Sequence, residues 1–293
     1  MSHPLITEML RDYPCSNEQQ AVNALREIMQ EVALLALSRQ DFFSRAAFYG
    51  GTALRILYGL NRGSEDMDFT LLSPDDRFDL NHYARGLEST FSASGLEVAF
   101  SRKLKVARSD IQSGFLKSNT RVQLLSIGLD AALAQRVHSR REMKIKIEVD
   151  VQPPSGFDTE LRYLYRPQPF AVRSCRLPDL LAGKLHAVLF RSWGSRVKGR
   201  DWYDLAWYAG THPEYNLGHL ESRSRQSGDY TDETPLTDER VHALLEERLL
   251  QVDMAALKND VGPFLHDPND LDCWSRDFFL DVFRRLRASA VAD

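Results

Sequence analysis

Between residues 17 and 37 the apolar side chains Val22, Leu25, Ile28, Met29, Val32 and Leu35 recur every three or four positions. This predicts a helix with one buried stripe and Ser16 or Asn17 as its cap. A short apolar run from Ala46 to Tyr49 then meets Gly50 and Gly51. Leu54, Leu57 and Tyr58 set up a second helical pattern within residues 53–60, with Thr52 at its N-cap. The period drops to two at Asp66-Met67-Asp68-Phe69-Thr70-Leu71-Leu72, which marks a strand. Residues 73–76 form a turn, and residues 80–94 read as a helix of the kind that covers a sheet. Strands are expected at residues 95–106, 120–129 and 144–151. The last alternates charged and aliphatic positions without a break, so one face is buried and the other presents Lys144, Lys146, Glu148 and Asp150 in a row.

From Leu177 onward the pattern is helical. Pro178 suits a first turn, and Leu180, Leu181, Lys184, Leu185, Val188 and Leu189 lie at helical spacing. Residues 194–199 read as a basic loop, and Arg200 opens a further helix. Residues 221–239 are polar and read as a loop or linker, and residues 241–257 and 277–290 as helices. The change of pattern divides the chain into a core with an N-terminal helix, residues 1–172, and a mainly helical part, residues 173–293.

A chain of 293 residues that is 43% apolar can bury a sizeable core. No apolar run approaches the roughly 18 residues of a spanning helix, and no charged-then-apolar leader opens the chain, so a cytoplasmic protein without membrane contact is expected. Cys15, Cys175 and Cys273 are widely separated and lack C-x-x-C partners, which makes them free thiols. The eight histidines are dispersed, and His186 reads as a packing residue. A net charge of −4 argues against a general nucleic-acid binder, but the basic residues cluster. One group holds Arg102, Lys103, Lys105 and Arg108, and a second Arg136, Arg140, Arg141, Lys144 and Lys146. The third holds Arg173, Arg176, Lys184, Arg191, Arg196, Lys198 and Arg200. Such patches either grip an RNA backbone or are solvated faces.

The candidate chemistry sits between residues 50 and 68. Side chains two apart on a strand share a face, so Asp66 and Asp68 project together, and two such carboxylates repel unless a cation lies between them. Oxygen ligands from two carboxylates, completed by water and phosphate, suit Mg²⁺, with Mn²⁺ as the alternative ion. Gly50 and Gly51 let the backbone approach a ligand, and the helix behind them aims its leading N–H groups at phosphate oxygens. Arg62 and Ser64 would add charge and a hydroxyl contact. A tight turn beside an exposed strand end would carry the same residues. Farther on, Lys184 stands beside an apolar stripe, where an ammonium needs an anionic partner or snorkels outward. Asp201 and Asp204, three apart on one helix face, are flanked by Lys198 and Arg200. An internal salt bridge is the structural alternative there.

Gly50-Gly51-Thr52-Ala53-Leu54, Arg62-x-Ser64-Glu65-Asp66-x-Asp68-Phe69, Gly183-Lys184-Leu185-His186-Ala187 and Lys198-Gly199-Arg200-Asp201-x-Tyr203-Asp204-Leu205 resemble the AbiEii-type nucleotidyltransferase toxins, which include the MenT toxins of mycobacteria. Val261-Gly262-Pro263-Phe264-Leu265 is also similar. The resemblance implies an α+β fold: a DNA polymerase β-like nucleotidyltransferase core, a mixed sheet with helices, followed by a helical C-terminal part. It implies Asp66, Asp68, Lys184 and Asp201 as catalytic residues, with Asp66 and Asp68 on the metal and Asp204 orienting Asp201 or holding the helix end. Glu148 or Asp150 would supply a third carboxylate. The superfamily's usual first motif is Gly-Ser; this chain has Gly50-Gly51, so Thr52 or Ser64 would replace the missing hydroxyl.

The implied reaction moves a nucleotide from a nucleoside triphosphate to an RNA acceptor, with the tRNA 3′ end preferred, so that translation stops. A cognate antitoxin would restrain a monomeric toxin. Two alternatives share these residues: an enzyme that transfers AMP to a protein hydroxyl, and an inactive nucleotide- or RNA-binding module.

Overall fold

The computed structural model describes residues 4–103, 109–191, 198–265 and 267–289. Lys105, Arg108, Arg196 and the expected loop up to residue 197 lie outside them. The chain packs as two compact units. The first takes residues up to Leu57, Glu65–Pro153 and Leu161–Ser174; the second takes Tyr58–Ser64, Pro154–Glu160 and the chain from Cys175 onward.

The first unit begins with α1 (Pro4–Arg11) and α2 (Glu18–Ser38). Asn17 caps α2 by accepting a hydrogen bond from the Gln20 N–H. Next come β1 (Ala46–Tyr49), α3 (Gly50–Tyr58), β2 (Met67–Leu71), α4 (Ala84–Ala93), β3 (Ala99–Lys103), β4 (Ile111–Asn119), α5 (Thr120–Ser126), α6 (Ala131–Arg136), β5 (Glu142–Asp150), β6 (Thr159–Leu164) and β7 (Phe170–Cys175). The seven strands form one mixed sheet in the order β3-β4-β5-β2-β1-β7-β6. β2 lies at its centre, antiparallel to β1 and parallel to β5. The fold class is therefore α+β.

One face of the sheet carries the core. Phe48 and Phe69 stack across β1 and β2 with ring centroids 5.0 Å apart, and Phe42 meets Phe69 edge-on at 5.0 Å. Both Phe48 and Phe69 are fully buried, and each contributes about 2–3 kcal/mol by leaving water. Met67, Ile145, Ile147 and Val149 share this burial, while the intervening charged positions do not.

Residues 120–129 are not a strand. Asn119 accepts a hydrogen bond from the Val122 N–H and starts α5 there; the strand is the preceding β4, which pairs with β5 from Ile111↔Asp150 to Asn119↔Glu142.

The second unit is built from α7 (Leu177–Phe190), α8 (Gly199–Thr211), α9 (Leu217–Gln226), α10 (Asp238–Gln251), α11 (Met254–Val261) and α12 (Arg276–Arg285). A two-stranded ribbon of β8 (Glu214–Tyr215) and β9 (Arg287–Ala288) completes it. Trp202, Trp274, Phe279 and Phe283 form its aromatic centre. The polar stretch at residues 221–239 is not one loop. Its first part lies in α9, and Arg225 then donates to the carbonyls of Asp232 and Thr234, while Tyr230 and Leu236 are buried. No helix among the described residues is long and apolar enough to cross a membrane.

Candidate active site

The glycine turn and the paired carboxylates meet in the first unit. Asp66 is exposed just ahead of β2, Asp68 is half-buried within it, and Met67 and Phe69 turn into the core. Tyr49, the last residue of β1, pairs with Asp68, which brings the following Gly50 to the same carboxylate. Gly50 has a φ of +82°, and a Cβ there would stand 2.7 Å from Asp68 Oδ2. Only glycine satisfies both the left-handed backbone and that approach. α3 starts at this residue, so the N–H groups of its first turn and the positive end of its dipole lie beside Asp68.

Thr52 does not cap α3; it lies inside the helix, fully buried, and its hydroxyl donates to the Asp66 carbonyl. It braces the carboxylate strand and does not offer its hydroxyl to phosphate. Gln30 Nε2 also holds this segment through the Glu65 carbonyl at 3.0 Å, and Arg26 sits 3.6 Å from Glu65. Burial pushes the Arg26 guanidinium down, against the pull of Glu65 and Asp66. The helical pattern gave no hint that α2 supplies a cation here.

Register places Glu148 directly beside Asp68, and Asp150 beside Thr70. Neither completes a three-carboxylate cluster. Glu148 accepts the Ser113 hydroxyl at 2.9 Å and pairs with Lys146 at 2.7 Å, while Asp150 Oδ1 accepts the Gln152 N–H at 3.1 Å. Among the described residues no group of three or more His, Cys, Asp or Glu side chains could hold a metal ion. Two carboxylates beside a backbone cradle that excludes a Cβ still fit Mg²⁺, which is commonly bound by one or two carboxylates with phosphate and water completing the shell.

The second constellation lies within the second unit. Lys184 Nζ is 3.0 Å from Asp201 Oδ1 and 2.8 Å from Asp204 Oδ2. Burial opposes its charge, but the two carboxylates prevail and raise the ammonium above its ordinary range. Burial likewise works against the Asp201 carboxylate, but Lys184 and Lys198 outweigh it and hold Asp201 down to about 2. Arg62 is not a phosphate contact. It is 2% exposed, and its Nε and Nη2 each reach an oxygen of Asp204 at 2.7 Å. Lys198 immediately precedes α8, and a Cβ on the following Gly199 would lie 2.0 Å from the Leu257 carbonyl oxygen, so the helix start packs too closely for a side chain. Arg200 stacks over Phe264 at 4.1 Å. Ser64 is half-buried in the connection that leads to β2.

Some members of the basic clusters are paired with acids. Arg102 pairs with Asp79, Arg141 with Glu18, Lys144 with Glu142 and Arg176 with Asp158, while Arg173 donates to the Phe43 carbonyl. His186 is buried, with Nε2 at 3.0 Å from Ser227 Oγ and 3.2 Å from Asp229. Burial, helped by Arg223 and Arg191, pushes it down to about 4.

The family described as the nucleotidyl transferase AbiEii toxin, type IV TA system, matches residues 32–282. Among solved structures, MenT4, a nucleotidyltransferase toxin from Mycobacterium tuberculosis H37Rv, is similar with a TM-score of 0.56 and 16% identity, covering 97% of this chain and 88% of that one. JHP933 from Helicobacter pylori is similar with a TM-score of 0.52 and 16% identity, covering 92% and 91%. No curated protein sequence matches the chain. At such identity the structures support the fold, and the family match supports the activity. With a glycine turn on paired carboxylates, a mixed sheet that holds them, and a family match over most of its length, the chain belongs to the AbiEii nucleotidyltransferase toxins of type IV toxin–antitoxin systems.

Proposed function

We propose that the protein transfers nucleotides from a nucleoside triphosphate to RNA, with the tRNA 3′ end as the preferred acceptor, and that it needs Mg²⁺. The observation that carries this is the approach of Gly50 to Asp68 at the start of α3, beside Asp66. Asp66 and Asp68 would hold the ion, which when bound neutralises phosphate charge and acidifies the attacking hydroxyl. Gly50 and Gly51 seat phosphate oxygens on backbone N–H groups, and Ser64 adds a hydroxyl. An acceptor hydroxyl attacks the α-phosphorus; the new P–O bond forms as the bond to pyrophosphate breaks. On the family resemblance, Lys184 would offset charge that grows on the phosphates, and Asp201 would assist the attacking hydroxyl or orient Lys184. Acting as a monomer in the cytoplasm, the enzyme would block aminoacylation until its antitoxin intervenes.

The test is incubation of purified protein with Mg²⁺, total RNA and each labelled triphosphate in turn. Label is expected in small RNA with one nucleotide, and Asp68→Asn is expected to lower the rate by about a thousandfold. Label in a protein band would establish the AMP-transferring alternative. The absence of label from both would leave a binding module.

A further inference from the structure

We propose that Arg62 and Asp204 are positioning residues of the transferase: together they clamp the Lys184 ammonium, so that Asp201 keeps one carboxylate oxygen open to the reacting groups. The inference rests on Lys184 and Asp201 serving the transfer.

Four charged side chains meet here. Arg62 spends Nε and Nη2 on the two oxygens of Asp204 and Nη1 on the Gly63 carbonyl at 2.9 Å. Asp204, fully buried, shares its Oδ2 between Arg62 and Lys184. Lys184 passes its remaining contact to Asp201 Oδ1. Two cations and two anions make up this bonded set, and Lys198 adds a further positive charge that acts on Asp201. Burying such a set is costly, and apolar side chains of the same volume would commonly stabilise the fold as well or better. Stability alone does not account for it.

The two carboxylates differ in one respect. Both oxygens of Asp204 are used, whereas Asp201 Oδ2 is buried without a hydrogen-bond partner among the described residues. An ionised carboxylate with an unused buried oxygen is costly unless something arrives to donate to it. The cluster is therefore closed at Asp204 and open at Asp201. Arg62 is fixed from both sides, because Tyr203 Oη donates to the Asn61 carbonyl at 3.1 Å and the Gly63 N–H donates to Phe264 O at 2.8 Å. Its planar fork bridges both oxygens of Asp204 at once, which a lysine cannot do. Because Arg62 takes part of Asp204's charge, Lys184 is held without being fully neutralised.

The test compares Asp204→Asn and Arg62→Lys with the wild-type chain, after circular dichroism and melting curves establish which are folded. The first readout is the split between kcat and the KM for the triphosphate. The second needs no activity: the rate at which an amine-acetylating reagent modifies Lys184, read by peptide mass spectrometry. Asp204→Asn is expected to lower kcat about a hundredfold with KM within about threefold, and to raise Lys184 acetylation about tenfold. Arg62→Lys, which keeps charge but loses the fork, should fall between that variant and wild type in both measurements. It decides alone if Asp204→Asn does not fold. Folded variants with wild-type kcat and wild-type acetylation would overturn the clamp. An inactive wild-type protein would overturn the roles of Lys184 and Asp201 instead, and acetylation would still decide the clamp.

Discussion

At the scale of single residues, identical side-chain chemistry has opposite uses in different surroundings. Gly50 and Gly183 both stand in blocks that resemble the family, yet a Cβ at Gly50 would meet Asp68 Oδ2 at 2.7 Å, and one at Gly183 would meet nothing within 4 Å. Gly50→Ala is expected to cost about 1–2 kcal/mol for its left-handed backbone alone and to displace Asp68, so that transfer is lost as well. Gly183→Ala is expected to be neutral or to stabilise α7 by up to about 1 kcal/mol. Urea unfolding of the two variants measures both effects, and an unchanged midpoint for Gly50→Ala would contradict the strain. Arg62 gives the same lesson for charge. In the sequence it stands beside Ser64 and looks like a phosphate ligand, but its guanidinium is taken by Asp204.

Between elements, α2 joins a part-buried ionic network that no periodicity reveals. Arg166, just past β6, reaches Glu31 of α2 at 3.0 Å and Asp12 beyond α1 at 2.6 Å, and Tyr13 donates to Glu27 at 3.0 Å. Burial pushes Glu31 up to about 7, more than Arg166 pulls it down. Its folded pKa thus lies above that of the unfolded chain. Below about pH 4.5 both states hold the proton and nothing is lost; as pH rises through about 7 the folded state must ionise a buried acid. Glu31 should therefore remove stability between pH 5 and pH 8, by up to about 3 kcal/mol. Glu31→Gln is expected to gain on wild type as pH rises across that window in urea melts. Parallel curves for the two proteins would refute the assignment. The misassigned stretch at residues 120–129 has a similar origin. Its aliphatic residues suit a strand, and the Asn119 side chain starts a helix there.

For the molecule as a whole, the ion proposed for Asp66 and Asp68 is expected to serve the transfer and not the fold. Chelation with EDTA should abolish transfer while moving the melting temperature by less than about 1 °C; a large drop would mean that an ion supports the fold. The local parts of the molecule were legible in the amino-acid order: the α2 cap, the turn into α3, the alternation around Asp66 and Asp68, and the two helices that open at Leu177 and beside Arg200. Each is set by backbone geometry over a few neighbouring residues, so period and glycine placement record it. The return of Tyr58–Ser64 to the second unit, the pairing of Glu148 with Lys146 and Ser113, and the capture of Arg62 by an aspartate 142 positions away were decided only by the tertiary structure. Charge pairing depends on distance in space, and side chains so far apart along the chain leave no periodic trace of which partner each will find.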